Sequence, residues 1–230
     1  MDINKRIKQY FYKAGNKFLT KEEMKQNLLF EKYKKFTMVE KLYYANNLSI
    51  AKKSLSIEGD VVECGVWRGG MIAGIAEILE KKKKYHLFDS FEGLPEAKEI
   101  DGASAIDWQK NSTGEFYFDN CKAEIEFAEK AMQMSGASFT CYKGWFSDTL
   151  PHNKIEKISL LRLDGDWYDS TLVCLQHLFP KVVKKGIVII DDYYTWDGCS
   201  RAVHDYLSSV QSTSRIAEFK GIAYIQKNDS

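Results

Sequence analysis

The stretch VVECGVWRGGMIAGIAEIL, residues 61–79, decides how this chain folds. It opens as a short apolar run, passes Glu63, turns through Gly65, Gly69 and Gly70, and continues as an apolar segment. A strand, a glycine turn and a helix in that order start a βαβ unit. YHLFD at residues 85–89 reads as the next strand, and the alternation continues through SFTCY at 138–142, ISLLRLD at 158–164 and GIVIIDD at 186–192. Helices are predicted around Cys121 to Met134, Thr171 to Val183 and Arg201 to Val210; in the last, Ala202, Val203, Tyr206, Leu207 and Val210 share one face. RIAEF at 215–219 and GIAYIQK at 221–227 suit two closing strands around a turn. The pattern predicts an α/β fold built on a parallel sheet.

Upstream, Thr37-Met38-Val39-Glu40 has the pattern of a capping box, opening a helix that carries Leu42, Ala45 and Leu48 toward Leu55. The first sixty residues therefore read as helical. The lysines at 81–84 read as a solvated helix end. Residues 92–118 lack periodicity and hold Pro95, Gly102 and Gly114, which predicts a long loop or irregular helix of the kind that covers sites.

Composition narrows the classes. With 44% hydrophobic residues in 230, the chain has enough apolar material for one large domain. Lysine and arginine total 33 against 32 acidic residues, so no global field exists to hold nucleic acid. Five cysteines without close pairs fit neither a disulfide framework nor a zinc-finger spacing and favour a reducing, cytoplasmic setting. The N-terminal stretch intersperses lysines among its apolar residues, and no run reaches membrane-spanning length, so neither a signal peptide nor membrane insertion is expected.

Three groups of residues carry chemistry. The turn from Glu63 through Gly65, Val66, Trp67, Arg68 and Gly69 can cradle a nucleotide-like ligand, because glycines admit close backbone approach and a helix N-terminus offers free N–H groups. A dinucleotide is disfavoured, since Trp67 stands where the middle glycine of G-x-G-x-x-G falls. Asp89-Ser90, one βα unit later, can accept ribose hydroxyls or simply cap a turn. Asp164 and Asp166, with Asp191 and Asp192, close two strands at the end where open α/β sheets bind ligands. Carboxylates gathered there repel each other unless a cation neutralises them, and an all-oxygen set suits magnesium, with manganese as the alternative. Read as extended backbone, Asp164 and Asp166 would point the same way, one to metal and one to substrate. Tyr193, Tyr194 and Trp196 read either as an aromatic wall for a sugar or as core.

From about Thr37 to Gln226 the chain resembles the macrocin O-methyltransferase family, sugar O-methyltransferases of macrocin, mycinamicin and novobiocin pathways. GDVVECGVWRGG, DSFEGLP, KGWFSDTLP, LLRLDGDWY, GIVIIDDYY and Arg201-Ala202-Val203-His204 carry the resemblance. It implies a Rossmann-like class I methyltransferase fold, a seven-stranded, mostly parallel sheet with a reversed last strand. It further implies a helical lid and oligomerisation extension over residues 1–57, ahead of a methyltransferase domain over 58–230. S-adenosylmethionine would touch Glu63, Gly65, Val66, Trp67, Arg68, Gly69, Asp89 and Ser90, with Gly144, Trp145 and Phe146 beside the adenine and Met38 near the methyl. Asp164, Asp191 and Asp192 would hold magnesium and Asp166 would be the general base. The acceptor would be a small molecule or glycan with vicinal hydroxyls, and the assembly a homodimer or larger homo-oligomer. The stretch from Asp101 to Gly114, in the region that covers the acceptor, departs from the family pattern. A catechol acceptor, a binding-only protein and a nicotinamide dehydrogenase are the rival readings; the intact aspartates oppose the second and the glycine spacing the third.

Overall fold

Helix α1, Lys21–Tyr33, begins the computed structural model, which describes residues 19–228; the earlier part of the expected N-terminal extension lies outside the described residues. Thr20 caps α1 in a true capping box, its Oγ1 accepting from the Glu23 N–H while Glu23 reaches back to the Thr20 N–H. The box expected at Thr37 and Glu40 does not form. Helix α2 starts later, at Lys41–Ala51, with Glu40 as an N-cap that makes no side-chain bond. Thr37 Oγ1 instead accepts from the Val39 N–H, and the neighbouring carbonyl of Phe36 takes the Gly70 N–H at 2.7 Å. Docking of this segment on the central domain overrides the local pattern.

The remaining strands and helices follow the predicted alternation. They are β1 Asp60–Cys64, α3 Gly70–Ile78, β2 Lys84–Asp89, α4 Ala103–Lys110, α5 Ile125–Ser135, β3 Ser138–Lys143, α6 Phe146–Thr149 and β4 Ile158–Leu163. Then come α7 Tyr168–Leu178, β5 Val182–Ile190, α8 Asp197–Ser209, β6 Ile216–Phe219 and β7 Ile222–Gln226. Helix α4 orders part of the segment read as a long loop. The lysine run does not simply solvate a helix end: Lys83 reaches the carbonyls of Ile57 and Gly59, and Lys84 opens β2.

Seven strands form one sheet in the order β3-β2-β1-β4-β5-β7-β6. All neighbours up to β5 pair in parallel, and β7 pairs antiparallel with both β5 and β6. The expected seven-stranded, mostly parallel sheet is therefore present. Its strand order reverses between β1 and β4, the switch point outside whose carboxyl ends α/β sheets bind ligands.

Two apolar layers cover the sheet. On one face Val61, Leu160, Ile187 and Ile189 meet α2, α3 and α5 through Leu48, Ile72, Ile75 and Met132. On the other, Leu161, Leu163, Val188 and Ile190 meet α7 and α8 through Leu175, Leu178 and Val203. The N-terminal helices are anchored to the first layer by Tyr44, whose hydroxyl donates to the Gly70 carbonyl at 3.0 Å. A Cβ on Gly74 would lie 1.9 Å from that hydroxyl, so only glycine lets α2 and α3 approach this closely. Within the apolar stretch from Leu42 to Leu48, Tyr44 and Leu48 are thus spent inside the chain, leaving Leu42 and Tyr43 exposed. None of the described helices is long and apolar enough to cross a membrane.

Candidate active site

Gly65 and Asp164, the residues following β1 and β4, meet at the switch point. Gly65 donates its N–H to the Phe88 carbonyl and Asp164 its own to Cys64, both at 2.9 Å. Gly65 has φ +84°, and a Cβ there would stand 1.6 Å from the Asp164 carbonyl oxygen. Gly65→Ala is therefore expected to cost about 2–4 kcal/mol, from left-handed strain and forced separation of the strand ends. Urea unfolding would measure it, and an unchanged midpoint would refute this account of the turn.

Asp89 ends β2 and caps that same turn. Its Oδ2 accepts from the N–H groups of Val66 and Trp67 at 2.7 and 2.8 Å, and its Oδ1 from Phe91 at 2.7 Å. Burial pushes its pKa up against those three bonds. The capping reading describes these contacts, while the carboxylate also borders the cavity described next. Ser90 Oγ accepts from the Glu92 N–H and donates to the Gly93 carbonyl, both at 3.0 Å, holding the start of the segment from 92 onward.

A cavity of about 420 Å³ opens above the switch point. Of the residues expected to touch the cofactor, Met38, Gly65, Trp67, Asp89, Ser90, Trp145 and Phe146 line it. Glu63, Val66, Arg68, Gly69 and Gly144 stand outside the lining. Val66 is in the core, Arg68 is stacked between the Trp67 and Phe127 rings, and Gly69 is the left-handed N-cap of α3. Gly144, with φ +140°, donates its N–H to the Asp89 carbonyl. Leu94 and Pro95, within the segment expected to cover a site, wall one side together with Cys121; sequence reasoning gave Cys121, and Ser170 and Val173 of α7, no place in the site. Cys121 stands at the start of a predicted helix and α7 shows only its apolar stripe, so proximity alone reveals these three.

The acidic residues divide into two groups. One carboxylate oxygen each from Asp164, Asp166 and Asp192 lies within 4.8 Å of the others. Asp166 does not continue β4: the strand ends at Leu163, and Asp166 has φ +57°, so the extended reading of Asp164 to Asp166 is replaced by a turn. Its N–H donates to Asp192 Oδ2 at 3.0 Å, and its Oδ1 accepts from Trp196 Nε1 at 3.0 Å. Burial, joined by the negative charge of Asp164, pushes the Asp166 carboxyl up to about 8. Asp164 rises to about 6 by burial, against the pull of Arg162, and burial carries Asp192 well upward too.

Asp191 is tied elsewhere. The buried Arg162 faces its Oδ1 through Nη2 at 2.7 Å, and Asn47 of α2 donates to the same oxygen at 3.3 Å. Nη1 of Arg162 donates to Glu63 at 2.9 Å and Asp164 at 2.7 Å, and its Nε to Asn47 Oδ1 at 3.3 Å. Glu63 and Arg162 are register partners across β1 and β4, which puts them on the same sheet face. Glu63 is thus the counter-ion of an internal arginine, its carboxyl raised by burial and drawn back by Arg162. The two tyrosines after Asp192 do not line the cavity: Tyr193 bonds His204 Nε2 at 2.8 Å, and Tyr194 is exposed.

A sheet of this order with an antiparallel seventh strand, and a ligand cavity between its first and fourth strands, has the class I methyltransferase architecture. The solved structure of the O-methyltransferase NovP matches it with a TM-score of 0.71 at 27% identity, over 84% of this chain and 83% of that one. The calicheamicin methyltransferase CalS11 shares the fold at 19% identity, with a TM-score of 0.63 over 98% of this chain and 93% of its own. More particularly, the chain belongs to the macrocin O-methyltransferase family, whose profile, Macrocin-O-methyltransferase (TylF), matches residues 34–225. Among its relatives is the 8-demethyl-8-(2,3-dimethoxy-alpha-L-rhamnosyl)-tetracenomycin-C 4'-O-methyltransferase of Streptomyces olivaceus, 34% identical over 72% of this chain and 64% of that protein. The mycinamicin III 3''-O-methyltransferase of Micromonospora griseorubida is 32% identical over 70% of this chain and 66% of that protein. The chain spans less than two thirds of the length of these relatives.

Proposed function

We propose that this chain transfers a methyl group from S-adenosylmethionine to a hydroxyl of a sugar, with magnesium held by Asp164, Asp191 and Asp192 and with Asp166 as general base. One observation carries the reading: the glycine turn after β1 and Asp164 and Asp166 after β4 line a single cavity, with a carboxylate oxygen of Asp192 within 4.8 Å of both. A methyl donor on the turn and an acceptor at the carboxylates would therefore share one space. The relative named for O-methylation of a rhamnosyl tetracenomycin supports a sugar acceptor.

The residues fit both bound groups. Gly65 lets backbone approach a nucleoside, Trp145 and Phe146 offer aromatic surface, and Met38 closes the cavity from the N-terminal side. Burial and mutual repulsion raise the pKa values of Asp164, Asp166 and Asp192 by disfavouring their ionised forms, and a hard divalent cation would favour those forms. Asp164 and Asp192 belong to that cluster, and both contacts to Asp191 fall on its Oδ1. S-adenosylmethionine supplies an activated methyl and magnesium supplies Lewis acidity that makes a sugar hydroxyl more acidic. The protein contributes placement: cavity walls that align the reacting oxygen and a carboxylate, Asp166, within reach of the metal site to take the proton.

Calorimetric titration with S-adenosylmethionine, followed by methyl transfer to glycosides bearing vicinal hydroxyls, tests the proposal. Saturable binding and magnesium-dependent transfer are expected; nicotinamide binding in place of S-adenosylmethionine binding would overturn it. Chelation should abolish transfer. In a separate readout, magnesium or manganese at a hundredfold excess over its Kd should stabilise the apoprotein by about 2.7 kcal/mol in thermal unfolding. A melting curve indifferent to both cations would contradict the metal site.

A further inference from the structure

We infer that Trp196 is a positioning residue for Asp166, and that Trp108 links it to the segment walling the cavity; the inference rests on the reading of Asp166 as the base. Asp166 stands on a left-handed turn, where its own backbone does not dictate where the carboxylate points. Two bonds settle it: the backbone N–H to Asp192 and the indole N–H of Trp196 to Oδ1 at 3.0 Å. An indole donates a single proton in a fixed plane, so the ring that holds the indole also orients the carboxylate.

That ring is held by two others. Trp167, almost fully buried, packs edge-on against Trp196 with ring centres 5.3 Å apart, and Trp108 of α4 packs edge-on against both at 6.0 and 6.1 Å. Trp196 is absent from the cavity lining, so it stands behind Asp166 and does not form a sugar wall. Trp108 lies on the segment whose Leu94 and Pro95 do line the cavity. The same segment is knitted by Gln109, which bonds the Ala97 N–H, the Pro95 carbonyl and Asn120, and the Pro95 carbonyl also accepts from Trp167 Nε1 at 2.9 Å. Displacement of the cavity wall is thereby felt at the tryptophan trio and, through one N–H, at Asp166.

The five tryptophans give five indole N–H resonances in a ¹⁵N-labelled full-length chain. Asp166→Ala is expected to shift the Trp196 resonance and speed its solvent exchange about twofold to tenfold, the loss expected for a typical side-chain hydrogen bond. Trp108→Leu should accelerate exchange at Trp196 while Trp67 and Trp145 keep their rates, and Trp108→Phe, which retains a ring at the contact, should restore most of the protection. A Trp196 resonance indifferent to Asp166→Ala overturns the positioning role. Unchanged exchange in Trp108→Leu, or no rescue by phenylalanine, overturns the link. Turnover surviving Asp166→Asn would instead remove the base reading and leave the indole contact standing.

Discussion

Asp166→Asn is expected to lower turnover by a factor of about 10² to 10⁴ while binding of S-adenosylmethionine and of the cation stays near normal. Asparagine keeps the size of the side chain and an oxygen for the Trp196 N–H, so the turn and its bond to Asp192 survive. What disappears is the capacity to take a proton. In the folded chain burial and the neighbouring Asp164 charge raise the proton affinity of this carboxylate, a tuning that suits a base working near neutral pH. Calorimetry would report the two affinities and single-turnover methyl transfer the rate. A variant with near-normal turnover would remove Asp166 from the mechanism.

The second large effect is on stability. Arg162→Met is expected to destabilise the fold by about 3–5 kcal/mol, because it leaves Glu63, Asp164 and Asp191 without the cation that all three face. Leucines 160, 161 and 163 flank the position along β4, and the fully buried Glu63 has no water to replace the lost cation, whereas Asp164 and Asp191 are partly exposed. Arg162→Lys should recover only part of the loss, since one ammonium does not reproduce a planar fork that meets three carboxylates and Asn47. Denaturant unfolding of the three proteins would give the ranking wild type, lysine, methionine; a methionine variant as stable as wild type would show that the network contributes no net stabilisation.

Much of the architecture was readable from local pattern. The strands predicted from VVECG, YHLFD, ISLLRLD and GIVIIDD all form, because each is a short apolar run ended by a turn or an acid. Their parallel order follows from the helices between them. The capping box at Thr37 was misplaced, since the same four-residue pattern yields to the docking of Phe36 and Tyr44 on the start of α3. Helix α4 carries too few buried positions to announce itself: of its eight residues only Ala105 is fully buried. The acidic site was legible as a collection of strand-end aspartates, but not as two sets with different partners.

By itself the sequence determined the strand–helix alternation, the glycine turn, the strand-end aspartates and the family, because each depends on residues adjacent in the chain. Only the tertiary structure decided that Arg162 claims Asp191 and Glu63, that Asp89 caps the turn after β1, and that Trp108 and Trp196 stand behind Asp166. These are contacts between residues on different elements, 22 to 99 positions apart where a hydrogen bond makes them. A buried charge or indole N–H takes whichever partner the packing of the sheet brings within about 3 Å, and one-dimensional spacing does not encode that choice.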